Sequence, residues 1–148
     1  MRKLCMIVLL AAGAATSLRP AMAESLKEAF DGFGLPGEWA GICGVPASLN
    51  NVHFRWTVLS ESKGQMITDY GVPPLSYYDV SFAQLLDDDR IRLKLLNKES
   101  GANLDMIMQK QDGRIHTISS VRSDGTVLIK DGRYVPGGGG TLRQEHCK

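Results

Sequence analysis

Three histidines, His53, His116 and His146, are the side chains of this 148-residue chain best suited to acid–base or metal chemistry. None of them lies on a predicted helix with a second ligand four residues away, the spacing that presents two metal ligands on one face. The sequence therefore predicts no metal and no cofactor, although a site assembled from distant strands stays open. A catalytic role would require His53 or His116 to meet a carboxylate inside a cleft.

The other reactive residue types also lack a catalytic pattern. Ser60, Ser119 and Ser120 lie in predicted strands without a nucleophile elbow. The three aspartates at 87–89 lack the spacing and distal glutamate of an EF-hand, and they are predicted to form a hairpin tip. The glycines at 137–140 open no helix and so form no phosphate cradle. We predict that the chain is not an enzyme.

The first 23 residues have the features of a secretory signal peptide. Arg2 and Lys3 supply positive charge, residues 5–15 are apolar, and residues 21–23 (Ala-Met-Ala) have the small-x-small form of a cleavage site. The apolar run is too short to cross about 30 Å of hydrocarbon. We therefore expect a periplasmic or secreted protein with no membrane span.

Cleavage would remove Arg2, Lys3 and Arg19, so the 17 basic residues become 14 against 16 acidic ones and the formal charge falls from +1 to −2. No Lys/Arg cluster forms a stripe that could follow a phosphate backbone, so no nucleic-acid partner is expected. The remaining 125 residues are enough for one domain with its own core.

Cys43 and Cys147 remain after cleavage, in a compartment where disulfides persist. They have no CxxC spacing and no neighbouring third ligand, so a disulfide is favoured over a metal pair or a redox couple. Closing so long a loop removes about 4–5 kcal/mol of unfolded-state entropy in the chain model.

Three segments follow from the hydrophobic pattern: a signal peptide at 1–23, a short helix and lead-in at 24–36, and a β domain at 37–148. The helix has apolar residues at helical spacing and a possible capping box of Ser25 and Glu28. After Trp39 the period becomes 2, which is typical of strands with one dry face.

Turn signals separate these strands at residues 87–89, 98–101, 112–113, 124–125 and 131–132. The last three are Asp-Gly pairs, which tolerate the positive φ of tight hairpins. The predicted fold is all-β, an antiparallel up-and-down barrel of about eight strands, because closure removes the exposed sheet edges. A two-sheet sandwich is the alternative.

Gly37-Glu38-Trp39, placed after a short helix and before the strands, resembles the start of the first strand in the lipocalin and calycin group of secreted barrels. The resemblance implies that Trp39 plugs the closed end and that Arg143, near the last strand, packs over it. A guanidinium over an indole contributes about 0.5–2 kcal/mol. The group also implies either an apolar ligand in the barrel or a protein target at its rim.

A small apolar or amphipathic ligand inside the barrel would contact the apolar strand faces, where aromatic and methionine side chains suit adaptable pockets. The candidate lining residues are Phe54, Trp56, Tyr78, Val80, Phe82, Met106 and Met108. Alternatively, the same side chains fill the interior, as they do in many barrels of about eight strands.

Residues 69–79 combine three tyrosines with two prolines. Tyr70, Leu75 and Tyr77 are candidates for a rim that recognises an envelope or extracellular protein, in the manner of a protease inhibitor. Alternatively, this segment is a turn whose tyrosines cover the barrel end. The sequence thus predicts a non-catalytic binding protein, with a small ligand first and a protein partner second.

Overall fold

The structure is a computed structural model that describes residues 24–148. The predicted signal peptide lies outside the described residues. The elements are α1 (Leu26–Phe33), β1 (Gly37–Ala40), β2 (His53–Ser60), β3 (Lys63–Asp69), β4 (Ser76–Asp87), β5 (Arg90–Asn97), β6 (Asn103–Gln111), β7 (Arg114–Arg122), β8 (Val127–Lys130), β9 (Arg133–Tyr134) and β10 (Gln144–Cys147). In this part of the chain, no helix is both long enough and apolar enough to cross a bilayer.

Eight antiparallel strands form a closed barrel, in which β1 to β7 follow one another and β10 lies between β1 and β7. Trp39 of β1 pairs with His146 of β10, and Glu145 of β10 pairs with Arg114 of β7. The β8–β9 hairpin pairs with the second half of β7. The predicted barrel is therefore confirmed over the alternative of two separate sheets.

Helix α1 begins with the predicted capping box. The Glu28 N–H donates to Ser25 Oγ at 3.1 Å, and the Ser25 N–H donates to Glu28 Oε2 at 2.8 Å. Gly34 ends the helix with φ 73°, a left-handed conformation that suits glycine. The apolar face of α1 is buried against β2 to β5, where the Phe30 ring meets the Trp56 ring edge-on at 6.1 Å. The helix therefore packs across one end of the barrel.

Most of the residues expected to line a cup are packed in the core. Trp56, Val80, Met106 and Met108 are buried together with the apolar face of α1. The remaining candidates on this face, Phe54 and Tyr78, are half-buried and pack against the same cluster. The structure thus matches the alternative in which these side chains fill the interior.

Phe82 does not share the face of Tyr78 and Val80, so that prediction is wrong. A β-bulge between Val80 and Phe82 shifts the pairing of β4 with β5. As a result Ala83 is 4 % exposed in the core, whereas Phe82 is 36 % exposed on the outside with Lys94 Nζ 5.6 Å from its ring centre. An inserted residue breaks strict alternation, which is why the period of 2 failed here.

Two of the Asp-Gly pairs form the predicted tight hairpins. Asp112 and Gly113 have φ of 54° and 73°, and Asp131 and Gly132 have φ of 51° and 71°. Positive φ at both central residues is the geometry of a type I′ turn, which matches the twist of the strands it joins. The chain order of the strands follows from these short connections.

The Cys43–Cys147 disulfide is confirmed, with an S–S distance of 2.03 Å and a Cα–Cα distance of 5.4 Å. It joins the loop after β1 to the end of β10, across a sequence separation of 104 residues. The Cys43 N–H also donates to Glu145 Oε1 at 3.0 Å. The first and last strands are thus held together covalently as well as by strand pairing.

Trp39 is buried, and its indole N–H donates to the Leu35 carbonyl at 2.9 Å. The side chain that packs against the Trp39 indole is that of His146, not that of Arg143. The exposed Arg143 side chain donates from its guanidinium to Gln111 Oε1 at 3.1 Å. Over residues 24–148, the cations above aromatic rings are Lys94 on Phe82 and Lys110 on Phe33. Position near the last strand was therefore not enough to predict the residue that covers the tryptophan.

Candidate ligand-binding groove

Side chains on the outer face of β5, β6 and β7 form two cross-strand rows. They point outward because the residues that alternate with them, such as Leu93 and Met106, belong to the core. The register places Arg92, Ile107 and Ser119 in one row and Lys94, Asp105 and Val121 in the other. Each row therefore combines a basic residue with an aliphatic one.

These rows line a groove with a volume of about 630 Å³. The value lies within the range of about 300–1,000 Å³ typical of small-molecule sites. The remaining lining residues come from the neighbouring strand and strand ends, and are Ser81, Leu95, Asn103, Leu104, Arg122 and Ser123. Two β-bulges, at Ile107/Met108 and Ser120/Val121, flank the groove and bend the strands beside it.

Arg92 and Asp105 form a bidentate ion pair in the groove. The Arg92 Nε donates to Asp105 Oδ1 at 2.9 Å, and a terminal nitrogen of Arg92 donates to Asp105 Oδ2 at 2.5 Å. Hydrogen bonding from Arg92 holds the pKa of Asp105 below its usual value against the opposing effect of burial, with smaller contributions from the charges of Arg92 and Lys94. The two charges of the pair therefore largely offset each other.

Two other cations in the groove are not paired. Within residues 24–148, neither Lys94 nor Arg122 has a carboxylate oxygen within 4.0 Å. Ile107 and Val121 supply apolar surface in the same two rows. The groove thus offers positive charge, hydroxyl groups and an aliphatic wall at one place.

A second groove of about 360 Å³ adjoins the first at Ser119. It is also lined by Gln109, His116, Ile118, Lys130 and Asp131. Thr141 Oγ1 donates to the Thr117 carbonyl at 2.8 Å, so His116 Nδ1, 3.4 Å away, can donate to that hydroxyl oxygen. Nε2 of His116 is then a buried acceptor without a partner among the described residues.

Burial lowers the pKa of His116, and the charge of Arg143 lowers it further. The imidazole is therefore neutral at pH 7. No carboxylate within 4.0 Å pairs with it in the described part of the chain. The stated condition for a catalytic His116 is not met.

His53 does meet a carboxylate, since its Nδ1 lies 2.8 Å from Glu38 Oε1. Its Nε2 lies 2.9 Å from the Val45 carbonyl oxygen and 3.1 Å from the side-chain nitrogen of Asn51. Buried Asn51 also donates to the Ile42 carbonyl and accepts from the Ile42 N–H. His53 therefore serves to hold the loop of residues 41–52, and it lines neither of the two grooves described.

The three predicted rim residues differ in exposure. Tyr77 is 38 % exposed, whereas Tyr70 and Leu75 are half-buried. Burial raises the pKa of Tyr70, and the nearby side chains of Tyr78, Tyr134 and Glu99 raise it further, in that order. Tyr70 therefore belongs more to the closure of this barrel end than to a free surface.

The exposed apolar surface at this end lies instead on two loops, residues 41–52 and 70–75. Ile42, Leu49 and Val72 are 59 %, 75 % and 58 % exposed. Gly71, with φ 76°, lies so close to the Ala47 carbonyl that a Cβ would be 2.0 Å from its oxygen. The two loops are therefore in contact and form one uncharged surface.

In the described residues, no group of three or more His, Cys, Asp or Glu side chains is arranged to hold a metal ion. Comparison of the chain with known protein families, with curated proteins and with solved structures gave no match. The function of the groove must therefore be inferred from its own chemistry.

The sequence did not point to the groove residues as a site. In the sequence Arg92 and Lys94 alternate with Ile91, Leu93 and Leu95, a pattern that predicts a wet face, where charged residues are ordinarily solvated. Asp105 alternates with Leu104 and Met106 in the sequence, which predicts a wet position on its own strand, and only the strand register brings it to Arg92. A search for opposite charges on the wet faces of successive strands was the signal that could have found the pair.

Proposed function

We propose that this is an exported, non-catalytic binding protein that holds a small amphipathic molecule in the groove on the outer face of β5–β7. The single observation behind this proposal is the groove of about 630 Å³, in which charged, hydroxyl and aliphatic side chains are combined. Membership of the lipocalin and calycin group is part of the same proposal, with the ligand outside the barrel rather than within it.

The filled interior is the reason for placing the ligand outside. Large side chains such as Trp56 and Met108 are buried against α1. Displacing them would break core contacts at a cost of several kcal/mol, because protein interiors are close-packed. The groove needs no such rearrangement.

The two histidines that could have supported catalysis support the binding role instead. His53 Nδ1 meets Glu38 of β1 and its Nε2 meets the loop that it holds, while His116 meets a threonine hydroxyl. General acid–base chemistry needs a side chain within hydrogen-bond reach of a substrate. Neither histidine offers this together with a carboxylate partner in a groove.

Export to the periplasm or beyond is supported by the disulfide and by the sequence of the first 23 residues. A disulfide that ties the first strand to the last is stable only where thiols are not kept reduced. N-terminal sequencing of the protein recovered from an envelope fraction should begin at Glu24, and recovery of the intact chain from the cytoplasm would contradict export.

Octyl glucoside, a neutral amphiphile, provides a direct test when used below its micelle concentration. Titration followed by amide chemical shifts should move resonances of β5–β7 and leave those of α1 unchanged. Ser119→Trp should fill the groove and remove the effect, whereas Ser62→Trp in the β2–β3 turn should not. Shifts confined to the core, or no shifts, would refute the proposed function.

Binding of another protein by the two contacting loops is the second candidate, favoured by the exposure of Leu49 and Val72. Together with Ile42 they form a preorganised apolar surface, which is typical of recognition sites. Pull-down from an envelope extract should lose its partner with Leu49→Ser/Val72→Ser and retain it with Leu86→Ser, an exposed leucine of β4. A partner kept by all three proteins would not be held by these loops.

A further inference from the structure

The loop of residues 41–52 is attached to the barrel through the side chain of His53, the first residue of β2. Nδ1 of His53 lies 2.8 Å from Glu38 Oε1, and Nε2 lies 2.9 Å from the Val45 carbonyl oxygen. An ionised carboxylate and a carbonyl oxygen only accept hydrogen bonds. Both contacts are therefore hydrogen bonds at the same time only when both ring nitrogens carry hydrogen, that is, in the charged imidazolium form.

The neighbouring side chain of Asn51 has its own acceptors in the loop. The Ile42 N–H donates to Asn51 Oδ1 at 2.9 Å, which fixes the orientation of the amide. The Asn51 side-chain nitrogen then donates to the carbonyl oxygens of Ile42 and Val45 at 3.1 and 3.0 Å. The same nitrogen lies 3.1 Å from His53 Nε2. It is therefore close enough to supply a hydrogen to Nε2 once that nitrogen has lost its own.

Loss of the proton from His53 Nε2 reverses the contact with the loop. A nitrogen lone pair then faces the Val45 carbonyl oxygen at 2.9 Å, and this arrangement is repulsive. Transfer of the Asn51 N–H from that carbonyl to Nε2 relieves the repulsion. The Val45 carbonyl is then left without either of the two side-chain donors that hold it. Deprotonation thus removes the attachment of the loop at this point.

The charged groups that face His53 come from β1, β2 and β3. Glu38 contacts the ring directly, and Asp69 is opposite His53 in the register of β2 with β3. A terminal nitrogen of Arg55, a largely exposed side chain, lies 3.5 Å from Glu38 Oε2. The loop itself carries no charged side chain. Because its carbonyl accepts only from a protonated Nε2, attachment of the loop and protonation of the ring favour each other.

We infer that His53 makes this attachment sensitive to pH: the loop of residues 41–52 is held when the imidazole is protonated and released when the proton is lost. Imidazole groups ordinarily change charge between about pH 5 and pH 8. The loop carries the exposed Ile42 and Leu49 and contacts residues 70–75. The uncharged apolar surface at this end of the barrel is therefore ordered in mild acid and mobile in mild base.

This inference goes beyond the proposed function and does not depend on it, because none of the residues that carry it lines the groove on β5–β7. It concerns instead the surface of the second candidate function. The Cys43–Cys147 disulfide keeps the start of the loop in place in both states, so only the part after Cys43 is released.

Nitrogen-15 NMR of the disulfide-bonded protein at about pH 5 and about pH 8 tests the inference. Ring shifts show whether both nitrogens of His53 carry hydrogen, and amide relaxation gives the order parameters of residues 44–49. In acid both nitrogens should carry hydrogen and the order parameters should be about 0.85, as in rigid backbone. In base the ring should be neutral and the order parameters should fall below about 0.6.

Two substitutions separate protonation from a merely structural role of the ring. His53→Gln should make the order of the loop independent of pH, whereas His116→Gln, at a histidine of β7, should keep the dependence. Glu38→Gln removes the negative charge beside the ring, so the ring should lose its proton at a hydrogen-ion concentration about tenfold or more higher. Release of the loop should move with it. If His53→Gln does not fold, the wild type and Glu38→Gln provide the test.

A ring that is neutral at about pH 5, or still charged at about pH 8, would overturn the inference. Order parameters of residues 44–49 that do not follow the titration of His53 would also overturn it, as would a pH dependence that persists in His53→Gln. The octyl glucoside titration at β5–β7 is read separately, so its failure would refute the proposed function and leave this inference standing.

Discussion

The ring of His146 packs edge-on against the indole of Trp39, with ring centres 4.8 Å apart and planes at 70°. His146 Nε2 also lies 3.1 Å from the Pro36 carbonyl oxygen. A Cβ added to Gly37 would lie only 2.4 Å from the same nitrogen, so the glycine makes room for the histidine. The Gly-x-Trp segment and the last strand are thus held together by packing around the His146 ring.

This geometry predicts that Gly37→Ala destabilises the protein by about 1–3 kcal/mol, because φ 124° is strained for alanine and the new methyl displaces His146. Urea unfolding of the variant measures the loss. Gly44→Ala is the matched control, since Gly44 has φ 81° but no atom within 4 Å of its Cβ position. A loss no larger than that of Gly44→Ala would argue against the contact with His146.

Replacement of the two residues around Trp39 should separate the observed contact from the expected one. Trp39→Ala should cost about 3–5 kcal/mol because it removes a buried aromatic side chain. Arg143→Ala should change stability by about 0.5 kcal/mol or less, since within residues 24–148 its guanidinium hydrogen-bonds only to the exposed Gln111 side chain. Thermal or urea unfolding gives both values. A large loss of stability in Arg143→Ala would instead support the packing of Arg143 over Trp39 that the family resemblance implies.

Removal of the disulfide should lower the free energy of unfolding by about 2–5 kcal/mol, because 104 residues separate its ends and the unfolded chain gains freedom. Cys43→Ser/Cys147→Ser can be compared with the wild type in urea. Dithiothreitol should bring the wild type to the stability of the variant and leave the variant unchanged. If the variant is as stable as the oxidised protein, strand pairing alone closes the barrel.

The Arg92–Asp105 pair should make stability depend on acid pH. The folded-state pKa of Asp105 is lowered, chiefly by hydrogen bonding from Arg92, below an unfolded value of about 3.9. The contribution of the pair is therefore present above pH 4 and is lost as pH falls through the folded pKa. The side chains are 42 % and 34 % exposed, so solvent screening limits this contribution to about 1 kcal/mol or less.

Asp105→Asn tests this dependence through urea midpoints between pH 2 and pH 7. The difference from wild type should be largest near neutral pH and should vanish in acid. Asp88→Asn, in the exposed β4–β5 turn, is the control. A difference that stays constant over the whole range would mean that the pair does not stabilise the fold.

The local pattern determined much of the fold. Ser25 and Glu28 formed the predicted capping box, and Asp112-Gly113 and Asp131-Gly132 formed the predicted hairpins. These features depend on interactions and backbone preferences within a few residues, so the residue types alone are enough to predict them. The pairing of Cys43 with Cys147 was also open to prediction, because no other cysteine remains after residue 23.

Tertiary structure decided what depends on strand register and bulges. The bulge after Val80 moved Phe82 outward, the register brought Arg92 to Asp105, and the course of β10 placed His146 on Trp39. A register shift of one residue exchanges the two faces of a strand, and period alone does not fix it. The sequence therefore determined a closed barrel whose first and last strands are joined by a disulfide. Three-dimensional packing determined which side chains fill its interior and which form the candidate site outside.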